Sequence, residues 1–342
     1  MKKNRTKIQM VLTALVILSV VRQFFLGNYH NMFLGILTLI LFMVPQFLDR
    51  KLNVTIPPGL ETVILIFIFS YGPMYGIQIA FRDYIATKGI SGSTWVGTKY
   101  FASFFKTRQF PRLLGNTIGI SLYSLLASFP IPILLAISLN ECGSLRFKKS
   151  AQMITYAPHF ISTVVIVSIM TLMFSMKTGI VNNAIVALGG KRINFMGEAR
   201  FFKSMYVWSG VWQSMGFNSI LYLSALAGVD PALHEAATID GASRVKRIWH
   251  IDIPCILPTI VITLILNTGS IMSIGYEKIL LMQNNLNMST SDVISTYVYR
   301  IGLVNAQYSL STAVNLFNSV VNLIIITTVN AIAKRVGDTS LW

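Results

Sequence analysis

Few side chains in this sequence are suited to covalent or metal chemistry, and they do not cluster. The four histidines and two cysteines are spread over different segments without the spacing of metal ligands: His30, His159, His234, His250, Cys142 and Cys255. The cysteines offer no disulfide framework, and the phosphate-binding pattern G-x-x-x-x-G-K-[ST] is missing from the sequence. The sequence therefore predicts no catalytic or metal site and no cofactor, and any ATP must be bound by another chain.

A charged stretch at residues 228–258 separates two long apolar segments and contains four of the twelve acidic residues. Asp230 is suited to cap a helix that starts at Pro231, where a missing N–H costs nothing. Gly241 is expected to end this helix, because glycine readily adopts the left-handed conformation. A second short helix is predicted to follow and to be closed by Pro254 and Pro258, with Val245, Ile248 and Trp249 on one face and Arg244, Arg247 and His250 on the other.

The first of these helices and the turn after it are rich in small residues, which would let another protein approach closely: Ala236, Ala237, Gly241 and Ala242. Glu235 and Asp240 supply charge that could orient such a partner. The alternative is an amphipathic loop that rests on lipid headgroups.

Composition predicts an all-α, multi-span membrane protein. The 342 residues are 54% hydrophobic and only 12% charged, and the mean hydropathy is +0.63, which is too apolar for a soluble chain of this size. The formal charge of +16 is spread over loops between apolar runs, which favours anionic lipid over nucleic acid as the counter-charge.

Apolar runs predict an N-terminal two-span hairpin, residues 1–57, followed by six spans in residues 58–342. The hairpin runs cover residues 10–26 and 32–48, and a polar loop is expected at residues 82–113. The six predicted spans cover residues 58–81, 116–139, 152–175, 203–227, 256–275 and 310–333.

Polar residues recur at helical spacing inside the last two predicted spans. One stripe is Ser311, Asn315, Asn318 and Asn322, and the other is Thr263, Asn267 and Ser270. Polar groups in hydrocarbon are costly, so they face a cavity or another helix. Such a cavity would suit a sugar, with amides binding hydroxyls and aromatic rings stacking on the sugar ring; the candidate residues are Trp208, Trp212, Asn218 and Tyr222. The alternative is hydrogen bonding between helices of two subunits.

The order E-A-A, D-G-A and then proline after about a dozen residues resembles the coupling loop of binding-protein-dependent ABC importer permeases. From about Tyr71 onward the chain also resembles the LplB-like branch of the maltose-transporter-like permeases, which serve polysaccharide fragments such as aldouronates. The runs that carry this resemblance are PMYGIQIAFRDY (73–84), NTIGISLYSLLASFPIPILLAISLNE (116–141), ITYAPHFISTVV (154–165), LAGVDPALHEAATIDGASR (226–244) and TSDVISTYVYRIGL (290–303).

The resemblance implies the permease subunit of an oligosaccharide importer in the plasma membrane, with the coupling loop and C-terminus cytoplasmic. It implies three partners: a second homologous permease, an ABC ATPase dimer, and an extracellular lipid-anchored sugar-binding protein. The residues it assigns to ATPase coupling are Glu235, Ala236, Ala237, Asp240, Gly241, Ala242 and Pro254. Those expected along the substrate path are Trp212, Asn218, Asn267, Ser270, Asn315, Asn318 and Asn322.

Two other classes fit the sequence less well. A secondary active transporter would need carboxylates at mid-membrane, whereas Glu61, Glu141 and Glu277 lie near predicted span ends. An intramembrane enzyme would need paired acids or an activated nucleophile.

The N-terminal region departs from the family pattern. The extra hairpin and the start of the next span do not resemble the family, which suggests a fusion with its seam near Ser70. Because a hairpin adds two crossings, it leaves the later topology unchanged, and we expect it to be dispensable for transport.

Overall fold

The structure, a computed structural model, describes residues 66–336. The predicted N-terminal hairpin and the first part of the span predicted from residue 58 lie outside the described residues. The chain divides into two units, residues 1–78 and 79–342. The first described elements are a π-helical turn, Phe67–Tyr71, and a 3₁₀ helix, Gly72–Phe81, which begins in the first unit.

Within residues 79–336 of the second unit, the regular structure is helical apart from one two-stranded ladder. Strands β1 (Arg82–Asp83) and β2 (Thr94–Trp95) pair antiparallel, with Arg82 opposite Trp95. The helices are α1 (Lys99–Lys106), α2 (Phe110–Ser128), α3 (Pro130–Asn140), α4 (Leu145–Tyr156), α5 (Thr163–Met173), α6 (Ile180–Ala187), α7 (Ala199–Leu226), α8 (Pro231–Ile239), α9 (Arg244–Arg247), α10 (Ile253–Thr268), α11 (Tyr276–Met282), α12 (Met288–Ser291), α13 (Ile294–Tyr299) and α14 (Tyr308–Val336). The segment predicted as a polar loop, residues 82–113, contains the ladder, α1 and the start of α2.

Within residues 66–336, three helical segments are long and apolar enough to cross a membrane: Phe110–Asn140, Arg244–Thr268 and Tyr308–Arg335. A fourth candidate is broken, since Leu145–Phe160 and Thr163–Met173 meet at an angle of 100°. The span predicted at residues 152–175 is therefore not one continuous helix. Ser162 stabilises the break, because its hydroxyl accepts from Val165 N and so caps α5.

Helix α7 occupies the middle of the second unit and packs against α2, α3, α4, α10 and α12. One buried cluster joins it to neighbouring helices through Phe202, Ile120, Ile166 and Ile279. A second cluster, which includes Tyr222, Leu226, Ala136 and Ile256, lies at the other end of α7, next to residues 228–258. The segment 228–258 thus packs against the central helix α7, so a movement of this segment is felt by α7.

Gly216 allows α7 and α4 to approach closely. A Cβ atom at Gly216 would lie 2.1 Å from the backbone oxygen of Thr155, so Gly216→Ala forces the two helices apart. We expect a loss of about 2–3 kcal/mol, a typical cost of overpacking a core, measured as a lower temperature of aggregation in detergent. Gly210→Ala on the same helix is the control, because its Cβ would meet only Lys278 Nζ at 3.6 Å; equal losses in both variants would contradict the prediction.

Candidate functional site

The predicted coupling loop, residues 228–258, begins with the helix that the sequence predicted. Ala232 N donates to Asp230 Oδ1 at 2.9 Å, and Pro231 is the first residue of α8. The helix ends at Ile239, and Gly241 follows in the left-handed conformation with φ +74°. Both the cap and the glycine stop are confirmed.

The second half of the loop differs from its prediction. Helix α9 continues through a π-helical turn, Ile248–Asp252, directly into α10, so Pro254 and Pro258 do not close a short helix. Pro254 is the second residue of α10 and follows the π-helical turn directly. Pro258 lies inside α10. Because α9, the π turn and α10 are continuous, the second half of the loop is a direct extension of a membrane-spanning helix.

Two side-chain contacts join α8 to this extended helix. Thr238 Oγ1 donates to the His234 carbonyl oxygen at 2.6 Å and accepts a hydrogen bond from Arg247 Nη1. His234 Nε2 lies 3.3 Å from Asp252 Oδ1. The loop is therefore a braced unit rather than two independent helices.

The predicted coupling residues lie at the surface of this unit. Glu235, Ala236, Asp240, Gly241 and Pro254 are exposed, whereas Ala237 and Ala242 are partly buried. Large apolar side chains are exposed beside them: Leu233, Ile239, Val245 and Trp249, with Ile239 86% exposed. Exposed apolar groups next to charges are typical of a surface that binds another protein, although lipid contact would use the same apolar groups.

A cavity of about 300 Å³ lies among α2, α3, α7 and α10. Two of the predicted path residues, Asn218 and Asn267, line it together with Ser128, Phe217 and Tyr222. The Tyr222 and Thr263 hydroxyl oxygens are 2.9 Å apart at its wall. Ser128 was missed, because one serine in an apolar run gives no periodic signal.

The other predicted path residues are not lining residues of this cavity. Trp212 is exposed on α7, and Ser270 donates to the Asn267 carbonyl oxygen just after α10. The last stripe is divided. Asn315 is exposed and Asn318 is buried, while Asn322 accepts from Met272 N at 2.9 Å and donates to Ser273 Oγ at 2.6 Å.

Further along α7, the structure places the predicted stacking residue Trp208 and a lysine, Lys278, that the sequence did not single out. Trp208 is exposed, and its Nε1 donates to Oη of the partly buried Tyr123 at 2.9 Å, which places an aromatic pair between α2 and α7. Lys278 Nζ donates to the Tyr206 carbonyl oxygen at 3.4 Å and faces the Tyr206 ring. Burial lowers the pKa of Lys278 to about 8.

Residues 128–338 match the protein family described as binding-protein-dependent transport system inner membrane component. The chain belongs to this family. The resemblance predicted from the motifs is therefore confirmed, as is the fold class of an α-helical permease of the membrane. This inner membrane component is a transporter permease subunit and a plasma-membrane protein.

Related proteins of known name match this permease over most of its length. Protein LplB of Bacillus subtilis is 43% identical over 294 residues, covering 86% of this permease and 92% of the relative. The polygalacturonan/rhamnogalacturonan transport system permease protein YteP of the same organism is 40% identical, covering 86% and 91%. A chain in the crystal structure of a bacterial alginate ABC transporter, in complex with its alginate pentasaccharide-bound periplasmic protein, matches with a TM-score of 0.77 and 40% identity over 82% of this permease and 94% of that chain.

Proposed function

We propose that this chain is the permease subunit of an ATP-driven importer of oligosaccharides or polysaccharide fragments. The observation that carries the proposal is the braced, exposed coupling loop built onto a membrane-spanning helix. Relatives whose names specify polygalacturonan/rhamnogalacturonan transport and alginate import support the substrate class.

In this proposal an ABC ATPase dimer docks on residues 235–241 from the cytoplasm, where the C-terminus also lies. A second, homologous permease completes the membrane-spanning pair, and a lipid-anchored extracellular protein delivers the sugar. ATP binding closes the ATPase pair, and the loop converts that closure into rotation of the spans between an outward and an inward conformation. ATP hydrolysis belongs to the ATPase subunits.

The proposed substrate path includes the cavity between α7 and α10. Asn218 and Asn267 supply amide groups for sugar hydroxyls, and Phe217 supplies an apolar face. Trp212, Ser270, Asn315, Asn318 and Asn322 remain proposed path residues that lie outside this cavity. Asn322 has the weakest support, because its amide is engaged inside the chain.

The transport proposal is tested with liposomes that contain the two permeases and the ATPase, together with the binding protein. We expect uptake of an oligosaccharide that requires ATP on the side of the coupling loop and stops when vanadate is added. Uptake by this chain alone, driven by a proton or sodium gradient and independent of ATP, would instead identify a secondary transporter.

A cysteine at position 267 tests the path. In a chain with Cys142→Ser and Cys255→Ser, we expect Asn267→Cys to be labelled by a small aqueous thiol reagent and protected by transported oligosaccharide. Asn183→Cys is the control, because Asn183 is exposed on α6 outside the cavity and its labelling should not respond to sugar. Labelling of Asn267→Cys only by a lipid-phase reagent would contradict the placement.

A further inference from the structure

Asp252 is a buried carboxylate at the base of the membrane-spanning helix. Its side chain is 1% exposed, and neither of its oxygens has a well-aligned hydrogen bond within residues 66–336. Burying a carboxylate is costly unless a charge or donor compensates it. The compensation must come from the groups that face this side chain.

Three charged or titratable groups act on Asp252. His234 comes from α8 with Nε2 at 3.3 Å from Oδ1, Arg247 comes from the preceding turn of the same helix, and Glu141 comes from the end of α3. Glu141 repels the carboxylate and Arg247 attracts it, while Arg247 also donates to Thr238. Among the described residues, His234 is the group that lies within ion-pair distance of the Asp252 carboxylate.

The His234–Asp252 pair connects two parts of the loop: His234 belongs to α8, and Asp252 belongs to the helix that continues into the membrane span. His234 is next to Glu235, at the surface where the proposed ATPase docks, and it is only partly exposed because its ring points back into the chain. Asp252 immediately precedes α10 and is continuous with the span. Residues 240–243, including the left-handed Gly241, interrupt the helical backbone between α8 and α9.

We propose that the His234–Asp252 ion pair transmits movement of α8 to the membrane-spanning helix, so that His234 is a positioning residue for transport. This inference rests on the proposed function of the loop. Without the pair, the ATPase still docks on the exposed surface of α8, but of the two side-chain contacts described above only the exposed Arg247–Thr238 hydrogen bond is left. Much of the motion of α8 is then absorbed by the Gly241 turn. The expected defect is loss of coupling rather than loss of assembly.

The test compares His234→Gln with His250→Gln in the complete transporter. His250 is a matched control, since it lies in the same loop but is exposed, with Nδ1 2.8 Å from the Lys246 carbonyl oxygen. For His234→Gln we expect normal co-purification of the ATPase and retained ATP hydrolysis, with at least a tenfold fall in sugar imported per ATP. His250→Gln should match the unmodified protein.

Rescue separates a transmitting pair from a merely structural contact. The double exchange His234→Asp with Asp252→His restores an ion pair in the reverse order and should recover sugar imported per ATP to within about threefold of the unmodified protein. If that chain does not insert, Asp252→Asn decides, and it should show the same coupling loss with the ATPase bound. Normal coupling in His234→Gln or in Asp252→Asn, loss of the ATPase in either, or no recovery in an inserted double exchange would overturn the inference. Failure of ATP-driven uptake in the unmodified transporter would contradict the proposed function instead.

Discussion

Replacing Gly241 with aspartate is expected to abolish sugar uptake while leaving the chain inserted in the membrane. Gly241 is exposed with φ +74°, and apart from its two chain neighbours no atom of residues 66–336 lies within 4 Å of the position that a Cβ would occupy. Aspartate tolerates the left-handed conformation better than most residues. The fold therefore accepts the side chain, and the added bulk and charge project into the space of the proposed ATPase. We expect uptake to fall more than about 100-fold, equivalent to roughly 2.7 kcal/mol.

The control for this variant is Gly89→Asp. Gly89 also has a left-handed backbone, with φ +67°, and open space around its Cβ position, but it lies between β1 and β2. Membrane abundance, ATPase co-purification and uptake should be measured for both variants. Normal ATPase binding and uptake in Gly241→Asp, or equal losses in the two variants, would refute the docking assignment.

Asp292→Asn is expected to destabilise the fold strongly. The Asp292 side chain is 1% exposed, and it contacts Arg300 Nη2 at 2.9 Å and Arg112 Nη2 at 3.6 Å. Thr296 Oγ1 also donates to it at 3.1 Å. Loss of the carboxylate leaves two guanidinium groups without their shared anion. Breaking a buried pair costs about 3–5 kcal/mol, and the partial exposure of both arginines reduces this to about 2–3 kcal/mol.

The measurement for Asp292→Asn is thermal unfolding in detergent, with a fall of about 5–10 °C expected. Asp83→Asn is the control, because Asp83 is exposed and also pairs with a base, Lys99, at 3.5 Å. The hydrogen bond from Tyr100, together with Lys99, lowers the pKa of Asp83, yet solvent screens this surface pair. A fall in Asp83→Asn as large as that in Asp292→Asn would show that burial is not the cause.

The start of the coupling loop was predictable because its signals are local. Asp230 followed by Pro231 specifies a helix start, and Asp240 followed by Gly241 specifies its end. The apolar run at residues 203–227 likewise came close to the bounds of Ala199–Leu226. Such features depend on neighbouring residues in the chain, and the sequence reveals them directly.

The broken helix and the fate of the polar stripe depend instead on distant residues. The 100° bend near Ile161 is held by Gln213 of α7, whose side chain donates to the Ile161 carbonyl oxygen at 3.0 Å. Asn322 has the spacing of a path residue, but its amide satisfies the backbone after α10. Periodicity shows that a face is polar and leaves open which partner meets it.

The π-helical turn at Ile248–Asp252 also limits how the length of this segment can change. Each residue added to or removed from an α-helix rotates everything beyond it by about 100° about the helix axis, and a π turn accommodates one additional residue in a helix. Deleting a single residue here would swing residues 228–247 around the span while leaving each remaining side chain chemically unchanged. A substitution in this segment alters single contacts, whereas a one-residue insertion or deletion changes the direction in which the whole loop faces.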